Sequence, residues 1–80
     1  MHVRCLFFAA YREVFGVDQI ELELPDGSTL EALIEDMRAR AGASVLPRQL
    51  LVAVNREYAA VETVLRDGDE VAFIPPVAGG

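Results

Sequence analysis

The sequence predicts an α+β fold in which one main amphipathic helix covers one face of a mixed sheet of about five strands. Two observations lead to this prediction. Short runs rich in strand-forming residues recur along the chain, and turn signals separate them. Only residues 28–41 carry apolar side chains at helical spacing over several turns. A lone amphipathic helix buries its apolar stripe against a sheet, which gives a two-layer sandwich.

Composition limits the classes of function. The 80 residues suffice for one core, so we expect residues 1–80 to form a single domain. We find no apolar run of about 20 residues and no signal-peptide pattern, which favours a cytoplasmic protein without membrane contact. The net charge of −6 disfavours nucleic-acid binding and favours partners with positive surfaces. One cysteine and one histidine cannot build a metal cluster.

The first strand is predicted at residues 3–9, which are apolar on both faces, as is typical of a central strand. Alternate residues share a face, so that one face carries Val3, Cys5 and Phe7 and the other carries Arg4, Leu6 and Phe8. Residues 10–15 predict a short helical turn that stops at Gly16. Residues 17–24 alternate between apolar and polar side chains, which predicts a strand antiparallel to the first.

The main helix is predicted to follow the turn residues 25–27. Ser28 and Glu31 have the spacing of a capping box. The apolar stripe of this helix consists of Leu30, Leu33, Ile34, Met37 and Ala41. Gly42 is expected to end it.

A loop is predicted at residues 43–49, and a third strand, a tight turn and a short fourth strand follow at 50–54, 55–56 and 57–59. The turn residues 67–69 precede a last strand at residues 70–74, which is also apolar on both faces. Because central strands have two apolar faces, the first and last strands should lie side by side. This arrangement is the ubiquitin-like β-grasp.

The tail that follows the last strand reads Pro75-Pro76-Val77-Ala78-Gly79-Gly80. Glycines without Cβ atoms can enter a slot too narrow for other residues and present an α-carboxylate inside another protein. The prolines favour an extended path, which lowers the entropy lost on insertion. Residues 76–80 could reach on the order of 16 Å. We therefore predict that the carboxylate of Gly80 is the reactive group; the alternative is an ordinary disordered end.

The chain resembles a family of small sulfur carriers, the MoaD-like subunits of molybdopterin synthase, over essentially its whole length. The resemblance rests on Leu6-Phe7-Phe8-Ala9 with Arg12-Glu13, on Asp26-Gly27-Ser28-Thr29-Leu30, on Val52-Ala53-Val54-Asn55 and on residues 65–80. Its most specific part combines an Asp-Gly-Asp-Glu-Val turn at residues 67–71 with the Pro-Pro-Val-x-Gly-Gly end. Ala78 stands where the family often has Thr or Ser.

The resemblance implies a carrier chemistry. An E1-like, MoeB-like adenylyltransferase would use ATP and Mg²⁺ to adenylate Gly80, and a sulfur donor protein would convert the adenylate to a thiocarboxylate. The tail would then enter a MoaE-like large subunit, within a heterotetramer, and give its sulfur to cyclic pyranopterin monophosphate. Gly79 would supply clearance, and Pro75, Pro76, Val77 and Ala78 would supply reach. The chain itself would bind no cofactor and would have no stand-alone catalytic activity.

Other functions stay open at this point. The same tail and fold would serve a carrier for thiamine thiazole or for tRNA thiolation. A ubiquitin-like modifier would instead join Gly80 to target lysines. The remaining alternative is a β-grasp interaction module whose terminus has no role.

Strand parity also predicts a partner surface. If Cys5, Phe7 and Phe73 face the helix, then Leu6, Phe8, Ala72 and Ile74 lie on the opposite face, which no predicted helix covers. Exposed apolar patches of this kind mark interfaces. We predict that Phe8, Ile74 and Tyr58 dock the large subunit; the alternative is that Phe8 packs under the loop of residues 43–49.

The sequence assigns no functional role to several other residues. Cys5 is expected to be a small buried apolar residue and not a nucleophile. His2 is expected to be exposed and without a role, and Tyr11, Arg12 and Glu13 are expected to lie at the surface.

Overall fold

A computed structural model of the chain describes residues 1–41, except the side chain of residue 41, and residues 50–75. Within these ranges the elements are β1 (His2–Phe7), α1 (Ala10–Phe15), β2 (Gln19–Glu23), α2 (Leu30–Ala41), β3 (Leu51–Val54), β4 (Glu57–Tyr58) and β5 (Glu70–Ile74). The helix stop predicted at Gly42, the loop predicted at 43–49 and the tail residues 76–80 lie outside the described residues.

The strands form one mixed sheet in the order β2-β1-β5-β3-β4. The first and last strands, β1 and β5, pair in parallel, with Cys5 opposite Val71 and Phe7 opposite Phe73. The other pairings, β1 with β2, β3 with β4 and β3 with β5, are antiparallel. The predicted side-by-side placement of the first and last strands is therefore confirmed.

The core lies between α2 and one face of the sheet. From the sheet it takes Val3, Cys5, Phe7, Leu22, Val52, Val71 and Phe73, and from α2 it takes Leu30, Leu33, Ile34 and Met37. The ring of Phe7 stacks on Phe15 of α1 with centroids 4.2 Å apart and lies 5.7 Å from Phe73. Each large side chain buried in this way stabilises the fold by about 1.5–3 kcal/mol.

The strand β1 ends at Phe7, two residues before its predicted end, because the backbone turns at Ala9. Ala9 has φ 49° and ψ −122°, a conformation that L-residues rarely adopt. In this turn the N–H of Tyr11 donates to the carbonyl of Phe8 at 3.0 Å. The short helix α1 follows and ends, as predicted, at Gly16, which has φ 77° and donates its N–H to the Arg12 carbonyl at 2.8 Å.

The helix α2 is not capped by the predicted box of Ser28 and Glu31. Its cap is Thr29, whose Oγ1 accepts the Ala32 N–H at 3.3 Å. The hydroxyl of Ser28 instead donates to the carbonyl of Pro25 at 2.7 Å. The capping-box prediction was therefore wrong by one residue.

A distant segment supplies the remaining acceptors at the start of α2. The N–H of Leu30 donates to the Thr63 carbonyl at 2.8 Å, and the N–H of Glu31 donates to the Val61 carbonyl at 2.9 Å. The first N–H groups of a helix lack partners within the helix. The loop between β4 and β5 thus caps two N–H groups of α2 with backbone carbonyls.

The turn between β3 and β4 consists of Asn55 and Arg56, which both have positive φ, 52° and 73°. Such two-residue turns match the twist of a hairpin and favour Asn-Gly. For an L-residue with a bulky side chain, the left-handed conformation costs about 1–2 kcal/mol. The backbone conformation at position 56 would therefore be more favourable with glycine than with Arg56.

Candidate functional site: the uncovered face of the sheet

The sheet has one face under α2 and one face that none of the described residues covers. Cys5 and Phe7 of β1 face the helix and are at most 1% exposed. Phe8, the residue just beyond this strand, lies on the other face and is 46% exposed. The predicted division of β1 into two faces is confirmed.

The uncovered face contains a groove of about 360 Å³. Its lining is mostly apolar and comes from β1, the β3–β4 hairpin and β5: Leu6, Phe8, Ala53, Tyr58, Ala72 and Ile74, with Arg56 and Glu70 at the charged end. Phe8, Tyr58 and Ile74, the three predicted interface residues, therefore lie around one groove. Their role in binding a partner remains a prediction.

Three residues of this face were not predicted. Ala53 and Arg56 line the groove, and Leu51, which is 46% exposed, pairs with Ile74 across the β3–β5 ladder. The assignment of β3 residues to the two faces is hidden in the sequence because residues 50–54 are uniformly apolar, and Val52 and Ala53 are both buried although they belong to opposite faces. Only the register with β5 assigns Leu51 and Ala53 to the uncovered face.

Charge changes along the uncovered face. On β1 the residues of this face are His2, Arg4 and Leu6, with Phe8 just beyond the strand, so that the strand runs from a polar end to an apolar end. At the charged end a guanidinium nitrogen of Arg4 lies 3.8 Å from a carboxylate oxygen of Glu70. Because β1 and β5 are parallel, Phe8 and Ile74 lie at the same end of the sheet. Pro75, the first residue of the tail, follows Ile74 and is half-buried, so the tail begins at the apolar end.

A second, smaller groove of about 220 Å³ lies on the other side of Phe8. It is lined by Leu6, Phe7, Phe8, Arg12, Asp18 and Gln19. Arg12 and Glu13 are exposed, as predicted. Tyr11, predicted at the surface, is only 5% exposed and belongs to the core. Burial raises the pKa of its phenol.

Cys5 has the environment of a structural residue. It is fully buried, and burial raises the pKa of its thiol to about 12, although the nearby Arg40 opposes this effect. A thiol with such a pKa is not a thiolate at neutral pH, and the thiolate is the nucleophilic form. The interpretation of Cys5 as a small buried apolar residue is confirmed.

His2 is exposed, as predicted, but it is not without contacts. Its Nε2 lies 2.7 Å from a carboxylate oxygen of Glu23 on the neighbouring strand β2. Its backbone N–H donates to a carboxylate oxygen of Asp67 at 2.7 Å. These contacts tie the start of β1 to its two flanking segments.

Comparison with known families matches residues 5–80, nearly the whole chain, to the ThiS family. The chain belongs to the ThiS family. It is similar to the molybdopterin synthase sulfur carrier subunit of Haemophilus influenzae, with 44% identity over 94% of this chain and 95% of the relative. The resemblance found in the sequence is thereby confirmed.

Two solved structures have folds similar to that of this ThiS-family chain. A Pyrococcus furiosus protein described as a candidate subunit 1 of molybdopterin converting factor has a TM-score of 0.86 and 32% identity, over 96% of this chain and 99% of that chain. The small archaeal modifier protein 1 of Haloferax volcanii has a TM-score of 0.81 and 25% identity, over 95% and 98%. The predicted ubiquitin-like β-grasp fold, a mixed sheet on one main helix, is confirmed.

The reactive tail predicted for this ThiS-family chain is described only at its first residue, Pro75. Pro76, Val77, Ala78, Gly79 and Gly80 lie outside the described residues. Within residues 1–41 and 50–75, no three His, Cys, Asp or Glu side chains are grouped so as to hold a metal ion. In the same ranges, neither helix has both the length and the apolar character needed to cross a membrane.

Proposed function

We propose that this ThiS-family chain is the sulfur carrier subunit of a molybdopterin synthase. The observation that carries the proposal is its 44% identity, over 94% of the chain, to a Haemophilus influenzae protein of that name. The likeness extends through residue 80. The proposed reactive residue, Gly80, therefore falls within the region that the family shares.

In this proposal the chemistry takes place at the carboxylate of Gly80. A carboxylate is ionised at neutral pH, far above its reference pKa of about 3.5, and is a poor electrophile. A MoeB-like activating enzyme joins it to AMP at the expense of ATP, with Mg²⁺, and releases pyrophosphate. A sulfur donor then displaces AMP and leaves a thiocarboxylate. The thiocarboxylate gives its sulfur to cyclic pyranopterin monophosphate and returns as a carboxylate.

The geometry of the described residues supports this proposal in two ways. The tail continues from β5, which lies inside the sheet and is hydrogen-bonded to β1 on one side and to β3 on the other, so pairing on both sides positions the strand that precedes it. The groove around Phe8, Tyr58 and Ile74 lies at the end of the sheet from which Pro75 departs. A MoaE-like large subunit that covers this groove would receive the tail directly. Apolar area buried there would stabilise the complex.

A second candidate function is protein modification. It is favoured by the likeness of the fold to the small archaeal modifier protein 1 of Haloferax volcanii, at 25% identity. An activated Gly80 would in that case acylate a lysine of a target protein. The two functions share the activation step and differ in the acceptor.

Intact mass spectrometry tests the proposal. The full chain is incubated with ATP, Mg²⁺, a cognate activating enzyme and a sulfur source, and the large subunit and pterin precursor are then added. We expect a mass increase equal to the exchange of one oxygen for sulfur, followed by its loss as molybdopterin forms. A chain without Gly79 and Gly80 is the control and should gain no mass. Absence of the increase with an enzyme that is active on a control carrier would refute the proposal, and conjugation to protein lysines would favour modification.

The docking part of the proposal has its own test. Phe8→Ala should weaken binding to the large subunit at least about tenfold, since aromatic residues at the centre of an interface carry much of its energy. The matched control is Val61→Ala, because Val61 is 42% exposed, close to the 46% of Phe8, but lies beside α2. Unchanged affinity of Phe8→Ala, measured by calorimetry, would contradict the assignment of this face.

A further inference from the structure

The geometry of the β3–β4 turn does not account for an arginine at position 56. It is the second residue of the β3–β4 turn and has φ 73°, a conformation in which glycine is preferred because it has no Cβ. The first residue of the turn, Asn55, is a residue type that tolerates this region. The hairpin would therefore form more readily with glycine at position 56. Strained residues of this kind cluster at sites where the side chain has a function.

The side chain of Arg56 lines the groove on the uncovered face, opposite apolar residues such as Phe8 and Ile74. Within residues 1–41 and 50–75, no carboxylate lies within ion-pair distance of its guanidinium. Glu70, the carboxylate that shares the groove, is paired with Arg4 at 3.8 Å. Among the described residues, Arg56 is thus a cation without an ion-pair partner at the edge of a mostly apolar groove, in a chain whose net charge is −6.

We propose that Arg56 determines specificity at this groove by pairing with a carboxylate of the protein that docks there, beside an apolar side chain that fills the groove. A guanidinium binds a carboxylate through two parallel hydrogen bonds, which fixes orientation as well as position. Because the chain is acidic, its overall field repels an acidic partner, and a single local cation selects the partner surface whose carboxylate meets it. The inference rests on the proposed function, since the docking partner is taken to be the large subunit.

Two substitutions separate the guanidinium from the conformation of the turn. Arg56→Gln removes the charge and keeps a side chain at positive φ. Arg56→Gly removes the charge and also relieves the turn. Arg56→Lys keeps the charge without the planar fork, and Arg66→Gln is the control, because Arg66 is an exposed arginine outside the groove.

The experiment measures the dissociation constant of the full-length chain and the large subunit at low and high ionic strength, together with Tm. We expect both Arg56→Gln and Arg56→Gly to raise Kd about tenfold at low salt, with a smaller difference at high salt because ions screen the pair. Arg56→Lys should recover part of the affinity. Arg56→Gly should raise Tm by roughly 4 °C, whereas Arg56→Gln should leave it unchanged.

A purely structural role for Arg56 would move Tm without changing the salt dependence of Kd. Equal Kd for the native chain and Arg56→Gln would overturn the inference while leaving the proposed function intact. An equal loss for Arg66→Gln would also overturn it, because the effect would then report net charge alone. A native chain that does not bind the large subunit would refute the proposed function, and the inference with it.

Discussion

The side chain of Asn55 connects the β3–β4 turn to the turn before β5. Replacing it tests how much this connection contributes to the free energy of unfolding. Its Nδ2 donates to a carboxylate oxygen of Asp69 at 2.8 Å, and its Oδ1 accepts the N–H of Glu70 at 3.0 Å. The first bond is charge-assisted, and both lie in an exposed region. With about 1 kcal/mol for each, a value that discounts the charged acceptor because both bonds are exposed, their loss should cost about 2 kcal/mol.

Comparing Asn55→Gly with Asn55→Ala separates the loss of the two hydrogen bonds from the backbone strain at this position. Both substitutions remove the two bonds and keep the backbone N–H, which donates to the Glu70 carbonyl at 2.8 Å. Glycine accepts the φ of 52°, whereas alanine is strained there by about 1 kcal/mol more. We expect the free energy of unfolding to fall by about 2 kcal/mol for Asn55→Gly and about 3 kcal/mol for Asn55→Ala, measured by urea denaturation with unchanged m-values.

A double-mutant cycle with Asp69→Ala shows how much of the loss belongs to the bond between the two side chains. A loss below about 0.5 kcal/mol for Asn55→Gly would refute the reasoning, since the two bonds would then add nothing beyond hydration by water. Equal values for the Gly and Ala variants would refute its second part, the strain at this position.

Three further predictions follow from the fold. Because burial raises the pKa of Cys5 from 9.0 to about 12, the unfolded chain loses this proton first as pH rises. The free energy of unfolding should be independent of this group below pH 9 and fall by up to about 1.4 kcal/mol per pH unit from there to pH 12, a decrease that Cys5→Ala removes in denaturation curves. Thr29→Ala should lower the free energy of unfolding by about 1 kcal/mol because it removes the helix cap, and Thr29→Ser, which keeps a hydroxyl, should not. A larger loss for Ser28→Ala than for Thr29→Ala would contradict this and restore the capping-box interpretation. Phe73→Ala should cost about 3–5 kcal/mol in chemical denaturation, because Phe73 is fully buried against Phe7, and a loss near 1 kcal/mol would contradict that packing.

The sheet could be predicted because its signals are local. Alternation in β1 separates Cys5 and Phe7 from Phe8, and apolar residues on both faces mark β1 and β5 as inner strands. The turn residues Gly16 and Gly68 stand where positive φ occurs, at 77° and 87°. From these features the order of elements, the layer under α2 and the uncovered face all followed, whereas the binding of a partner to that face remains a prediction.

The features that could not be predicted depend on contacts between distant segments. The start of α2 depends on the carbonyls of Val61 and Thr63, which no spacing near Ser28 reveals. Tyr11 has a phenolic hydroxyl that suggests exposure, yet the β1–α1 corner places it in the core. The groove residues Ala53 and Arg56 required the register of β3 with β5 and of β3 with β4.

The position of β5 has a consequence for the order in which the chain folds. The hairpin of β1 and β2 and the hairpin of β3 and β4 each join strands that are close in sequence, whereas in the described sheet they meet only through β5. During synthesis the sheet therefore cannot close before residues 70–74 have left the ribosome. Pairings over such long sequence separations slow folding. The groove takes residues from both hairpins and from β5, so it is assembled only once the segment that leads into the tail has paired with both.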